Sequence, residues 1–419
     1  MEEWKEYKMH KLGDYILDIA AGPFGSNLKV ECFVPSGFPI IDGANLRGFK
    51  VTDNVTKFVT EEKARSLYRS IAKRNDVVVT ISGNVGQISY IPFNSKYKEY
   101  LVSQRQFRVT FDTTKVYVPY LIYYFHTIEG QHKILSFANQ TGVPALAQPL
   151  KNFKNIDVQL PPLSKQKQIA SILSSLDNKI ECNRRINDNL EQQAQALFKS
   201  WFVDFEPFKD GGLVESELGM IPNGWKVVAI NDVFKINIGK TPPRKEAKWF
   251  TESNEDNVWV SIADMGSSGM FISKSSEFLT DEAVDRFKIQ MVEPNTVLLS
   301  FKLTVGRVAI ADVRLTTNEA IARFILPDEF YREFLYLYLK QYEYGKLGST
   351  SSIATAVNSK TIKGMILLLP TTSIIENFCN NARPLFEQIR IMQQESYRLA
   401  QLRDTLLPKL MSGRLKTTM

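Results

Sequence analysis

Catalytic chemistry needs particular residue types at fixed spacing, and along this sequence the familiar spacings fail one after another. His10, His126 and His132 are the only histidines, and no two stand at the i, i+4 spacing with which a zinc helix holds its metal. Cys32, Cys182 and Cys379 are scattered singly, so neither a zinc knuckle nor a disulfide framework is expected, and a reducing compartment fits. Gly239-Lys240-Thr241 looks like the end of a phosphate-binding loop, but the glycine required five residues earlier is Phe234. Glu246-Ala247-Lys248 has the E-x-K form of some nucleases without the Pro-Asp that should precede it. Dinucleotide fingerprints, methyltransferase Asn/Asp-Pro-Pro-Tyr motifs and nucleophile elbows are missing too. The expectation is a chain that recognises a target, with no catalytic residue, metal or cofactor of its own.

What the sequence does hold is a set of loops that mix glycine with hydroxyl, amide and basic groups. In the first half these are Gly22–Lys29 with Ser26 and Lys29, the stretch around Arg47, Ser82–Gln87 with Asn84 and Gln87, and Ser103–Gln106 with Gln104, Arg105 and Gln106. The matching loops of the second half carry Lys240, Thr241 and Arg244, then Lys302 and Arg307, then Asn318. Glycine lets a backbone approach closely, and Arg, Asn and Gln read base edges by paired hydrogen bonds. Taken singly, each such residue is better explained by a turn with a solvated charge. The recurrence of the loops at matched places, with different polar residues, fits two related readers of different sequences.

The elements that must carry these loops also come in two copies. Phe58–Ala64 matches Phe278–Val284, Asn75–Thr80 matches Asn295–Ser300, and Val85-Gly86 matches Val305-Gly306, all at one offset. At a slightly smaller offset Lys151–Pro161 matches Lys360–Pro370. Short apolar runs such as Val77–Ile81 and Val297–Phe301 read as strands, with Val118–His126 and Phe330–Lys340 as short helices between strands. Each copy is expected to be an α+β domain whose chain ends lie close together.

After each domain a long amphipathic helix is expected, with Ser164 and Ser373 as N-caps. Apolar positions recur in the first at Ile169, Leu173, Leu176, Ile180, Leu190, Ala194, Leu197 and Trp201. In the second they recur at Phe378, Ala382, Leu385, Ile389, Met392, Leu399, Leu406 and Leu410. This narrow stripe predicts two helices that pair, the alternative being that each packs on its own domain. Asn183 and Asn187 interrupt the first stripe, either fixing register or lying at a water-accessible gap. About 38 helical residues span roughly 57 Å. With domain ends close together, the pair should run antiparallel about a pseudo-two-fold axis. The expected layout is a first domain over 1–162, a helix over 163–205, a linker over 206–224, a second domain over 225–371 and a helix over 372–415.

The chain has 419 residues, 44% hydrophobic and 23% charged, with a formal charge of +7. That is an ordinary globular composition with a mildly basic balance, compatible with a polyanionic partner. The opening Met1–Glu6 is too polar for a secretory signal, and the longest apolar stretch, Met365–Leu369, is too short for a membrane span. A cytoplasmic protein without a membrane partner is expected.

Several stretches resemble one family closely. These are Leu160–Leu173 (LPPLSKQKQIASIL), Asn183–Asn187, Gln195–Phe205, Gly219–Trp225 and the ending Leu406–Leu415. With Gly22-Pro-Phe-Gly-Ser26 and Ile238-Gly-Lys-Thr-Pro242 they make the chain similar, over essentially its whole length, to the DNA-specificity subunit (HsdS) of type I restriction–modification enzymes. It departs from the family where the second helix opens as Ser373-Ile-Ile-Glu-Asn-Phe378. The resemblance implies two target-recognition domains, each reading half of a split site in double-stranded DNA, held apart by the helical pair. It also implies two modification subunits docked on the helices and restriction subunits beyond them. Methyl donor, ATP and magnesium would then belong to those partners. A protein-binding scaffold with no direct DNA role is the competing reading, and an enzyme built from scattered residues is a third.

Overall fold

The computed structural model of the chain describes residues 7–139, 143–253, 256–347 and 357–415, so the polar opening lies outside the described residues. The chain divides into two units, Met1–Lys179 with Arg398–Met419, and Ile180–Tyr397.

The first unit's domain is closed by its own ends, where His10–Lys11 pairs antiparallel with Asp157–Val158. Between them run two four-stranded sheets. One is antiparallel throughout, in the order Ile16–Ala21, Gln106–Phe111, Val77–Thr80, Ile88–Tyr90. The other has the order Phe58–Val59, Phe38–Ile41, Glu99–Val102, Ile71–Lys73, with a parallel step between Ile40–Ile41 and Leu101–Val102. Strand Val77–Thr80 is apolar at successive positions because both its faces are covered. Val77 and Val79 join Phe107, Leu121 and Phe125, while Val78 joins Ile41 and Val102 on the other side.

The second unit repeats this plan. Lys226–Ala229 pairs with Ile366–Leu369 at the domain's ends. Lys235–Ile238, Ile321–Ile325, Val297–Ser300 and Val308–Ala311 follow the same sheet order, with Phe271–Ile272 added in parallel at the edge. The parallel step of the other sheet recurs between Trp259–Val260 and Thr316–Thr317. Finer marks recur as well. Asn75 and Asn295 turn through φ of 72° and 70°, and Thr60 and Thr280 each cap a short helix by accepting from the backbone three residues on.

The long helices run Leu163–Phe202 and Thr372–Met411. Both begin before the expected caps, so Ser164 and Ser373 lie inside the first turn. In each unit the two helices pack on one another and also on the domain's own aromatic helix. In the first unit Ile169, Ala170 and Leu173 share a cluster with Leu407 and Leu410, and also with Tyr120 and Tyr123 of helix Val118–Phe125. In the second, Ala194, Phe198 and Phe202 pack with Ile375, Phe378, Cys379, Ala382 and Phe386, and with Phe334 and Tyr336 of helix Arg332–Gln341. Within that unit the start of the first helix segment meets the end of the second, since Asn183 bonds Glu395 at 2.7 Å, so the pair is antiparallel there.

This third layer widens the buried stripe beyond the expected seam. Ile169, Leu173, Ile389 and Leu410 are buried, whereas Leu176, Ile180, Leu190, Leu197, Leu385, Met392, Leu399 and Leu406 are only half-buried. Toward the end of the first helix the buried set becomes Ala194, Phe198 and Phe202, four residues apart, and Leu197 and Trp201 move to its flank. The flat alternatives of pairing or packing on the domain were too narrow: each helix does both. Asn183 is 0% exposed and bonded across the pair, which removes the water-accessible gap for that residue and leaves the register role. The stretch expected as a linker is itself ordered, with a 3-10 turn over Glu206–Gly211 and a hairpin of Leu213–Ser216 on Gly219–Pro222. Phe202, Phe205 and Phe208 surround Trp225 at the start of the second domain.

Candidate nucleic-acid interface

At one end of the first domain the sheet-connecting loops enclose an open cleft. Its lining includes Arg47, Asn84, Gln87, Gln104, Arg105 and Gln106, together with Asp42 and Lys57. The turn Ser103–Gln106 is set by local hydrogen bonds, Gln106 N–H to Ser103 O at 3.1 Å and Ile81 N–H to Arg105 O at 2.6 Å. It also requires glycine opposite. A Cβ at Gly22 would lie 1.9 Å from the Ser103 carbonyl oxygen, so any side chain there would push the loop Gly22–Lys29 off the turn. The second domain repeats the device: a Cβ at Gly239 would lie 2.0 Å from the Asn318 carbonyl oxygen.

The cleft's groups differ in how free they are. Arg47 and Arg105 are exposed, and their guanidiniums make no hydrogen bond or ion pair among the described residues. The Asn84 side chain is likewise exposed and unbonded there. Lys57 is paired with Asp42 at 2.8 Å, and although burial pulls the other way, Lys57 and the Ala44 N–H hold the Asp42 carboxyl below its usual range. Gln104 donates to Leu28 O at 2.7 Å and so ties down the neighbouring loop. Gln87 accepts from the Thr80 hydroxyl at 3.2 Å. Gln106 is a correction to the expectation of a presented reader. It lies in strand Gln106–Phe111, is 2% exposed and accepts from the Ser103 hydroxyl, forming the floor of the cleft. Ser26 and Lys29 are exposed on the adjoining loop, outside the lining.

In the second domain most of the expected readers are held internally. Arg244 makes a two-pronged bridge to Glu277 at 2.7 and 2.9 Å, and its guanidinium lies 4.2 Å from the Phe250 ring centre and 4.6 Å from that of Trp259. Lys240 donates to Phe287 O at 3.2 Å, Thr241 donates to Glu319, and Asn318 accepts from the Ala320 N–H at 3.1 Å. Arg307 is half-buried and donates to Ile262 O, lying against Gly266. Lys302 stays exposed, with its ammonium 5.8 Å from the Phe301 ring centre. Sequence reasoning passed over Leu303, the neighbour of Lys302, which is 100% exposed at φ of 59°. Its signal was a leucine at the repeat position of Gly83.

Among the described residues, no group of three or more His, Cys, Asp or Glu is placed to hold a metal ion, and no helix is long and apolar enough to cross a membrane.

Two copies of one mixed domain, each ending in a long helix and each gathering polar loops around a close-approach glycine, define a twin-domain recognition protein. The family model for the type I restriction modification DNA specificity domain matches residues 5–192 and 222–381, so the chain belongs to that family, as a specificity subunit carrying two such domains. It is 25% identical to the MjaIX type I restriction enzyme specificity subunit of Methanocaldococcus jannaschii, across 99% of this chain and 94% of the relative. It is 28% identical to the HindI specificity subunit of Haemophilus influenzae, across 62% of this chain and 69% of that relative. The crystal structure of the S subunit of a type I restriction–modification system from M. genitalium aligns with a TM-score of 0.55 at 14% identity. It covers 99% of this chain and 97% of that one, a likeness of fold.

Proposed function

We propose that the domains over residues 1–162 and 225–371 each read one half of a bipartite site in double-stranded DNA through these loops. The helices over 163–205 and 372–415, joined to the second domain through 206–224, dock two modification subunits, and restriction subunits join the assembly in the cytoplasm. The chain supplies recognition, and methyl transfer and cleavage are chemistry of its partners. The observation that carries this reading is the matched loop cluster. Glycine holds the same turn in both domains by close approach, while the side chains around it differ and leave Arg47 and Arg105 free in the first. Free guanidiniums beside an open cleft suit both phosphate attraction and paired hydrogen bonds to guanine.

Mapping methylated positions in the host genome with and without this gene tests the reading. A split motif that vanishes with the gene is the expected result, and an unchanged methylation pattern would sink it. Adding nuclease to the purified assembly separates the scaffold alternative, because binding of partners that survives complete DNA digestion with no motif in the genome would favour a protein-only role.

A further inference from the structure

The turn between strands Val297–Ser300 and Val308–Ala311 is pinned from below. Ser300 is buried, its hydroxyl donates to Thr304 O at 2.6 Å and accepts from the Arg307 N–H at 3.0 Å. The Ser300 backbone bonds Arg307 O at 2.9 Å, and the Thr304 N–H closes on Lys302 O at 2.6 Å. At the apex of this fixed turn stands Leu303, wholly exposed, in a left-handed conformation that costs an L side chain steric strain. The first domain fills the same apex with Gly83 at φ of 88°, which bears no such strain. Gly83 also shows where the apex lies relative to the readers: a Cβ there would sit 3.7 Å from the Arg105 guanidinium, in the lining of the cleft.

Leu303 therefore gains nothing from its own chain, neither burial nor backbone ease, and it occupies the apex that in the first domain lines the cleft, in a domain whose candidate readers are mostly engaged. The edges of base pairs in the major groove offer one apolar group, the C5 methyl of thymine. We propose that Leu303 is a specificity-determining residue of the second domain, seating its side chain against the methyl of a thymine in the second half-site, with Lys302 beside it toward the phosphates. This rests on the reading that the second domain faces DNA through this loop cluster.

The test uses the full chain assembled with its modification subunit and a duplex carrying the mapped site. Each thymine of the second half-site is replaced in turn by deoxyuridine, which lacks only the methyl. One replacement is expected to weaken binding of the natural chain roughly three- to tenfold, the worth of one apolar contact. L303A should weaken binding to the thymine duplex by a similar factor and be indifferent to that replacement. L303G, which relieves the backbone strain, should fold at least as well and show the same indifference. A second half-site without thymine, or thymine discrimination retained in both variants, would overturn the proposal. Exchange of residues 225–371 for the matching domain of a relative with another specificity keeps the two claims apart. If the recognised sequence stays the same, the domain reading itself fails. If it changes while L303A leaves it untouched, only the role of Leu303 fails.

Discussion

The two recognition domains share sheet order, helix caps and left-handed turn positions, yet they treat their cations in opposite ways. In the first, Arg47 and Arg105 are exposed and unpaired among the described residues beside an open cleft. In the second, Arg244 is gripped by Glu277 and two aromatic rings, and Arg307 is tied to the Ile262 carbonyl. What stays free at the matched apex there is Lys302 and an apolar Leu303. The difference teaches that residue type and loop position alone do not identify a reader. A guanidinium already paired in a hydrogen-bonded fork has little left to offer a base, and its removal acts first on the fold.

The largest expected effect tests the free side of this contrast. Replacing Arg47 and Arg105 together with Ala should weaken binding to the natural site about 10- to 100-fold, given that a paired hydrogen bond to a base is worth about 1–3 kcal/mol. Preference at the second half-site should be unaltered, as read by selection from libraries randomised in one half at a time. Equal loss of preference at both halves would break the independence of the domains. Next in size is R244A in the second domain. Its bridge is half-exposed and contributes at most about 1 kcal/mol. With the ring contacts the loss should be about 1–2 kcal/mol, a fall in Tm of a few degrees with the recognised motif unchanged. A changed motif at unchanged Tm would place Arg244 among the readers.

Much of this architecture was legible in the sequence for a physical reason. Strands covered on both faces favour apolar residues at successive positions, as at Val77–Val79 and Val297–Leu299, and left-handed turns favour asparagine or glycine, as at Asn75 and Asn295. Such local demands recur in both copies, so the repeat shows in one dimension. The helix stripes were legible as surfaces that need partners, but not which partners. Phe198 and Phe202 turn inward because Phe334 on the domain's own helix adds a third wall, a fact of tertiary structure. The candidate site was legible to the level of loops and no further. Glu277 lies far from Arg244 in sequence, and nothing near Gln106 announces that its strand is buried on both faces. The apex leucine departs from the repeat, but the departure acquires meaning only once Gly83 is known to be left-handed.

A smaller effect probes Lys302, the exposed cation of the second domain's apex turn, which has no ion pair among the described residues. K302A should weaken binding modestly and by the same factor on all sequences, while lowering the slope of log affinity against log salt by about one. A change in motif with an unchanged slope would move Lys302 from the phosphates to a base edge and weaken the case for Leu303 as its reading neighbour.

The smallest effect concerns acid, and it too divides the units, because all three histidines precede residue 133. His126 closes helix Val118–Phe125, with its ring 4.4 Å from that of Phe49 and its Nε2 2.8 Å from Ile88 O. Phe49 lies in turn under Arg403, which pairs with Asp177 at 2.8 Å. Burial pushes the His126 pKa down, with Arg403 adding to the fall while the Ile88 carbonyl and Asp177 oppose it. A lowered folded pKa means that the unfolded chain binds more protons below about pH 6.5. The stability this ring contributes is therefore complete above that pH and is lost as pH falls toward the folded value. Between about pH 7.5 and about pH 5.5, amide exchange in helix Val118–Phe125 should accelerate beyond its intrinsic pH dependence, with less than one proton of linkage. Helix Arg332–Gln341, in a unit without histidine, should show no such excess. H126Q keeps an N–H for the Ile88 carbonyl and cannot titrate, so it should abolish the excess. An equal response in both helices, or an excess that survives in H126Q, would mean that acid acts on the shared helical layers and not on this ring.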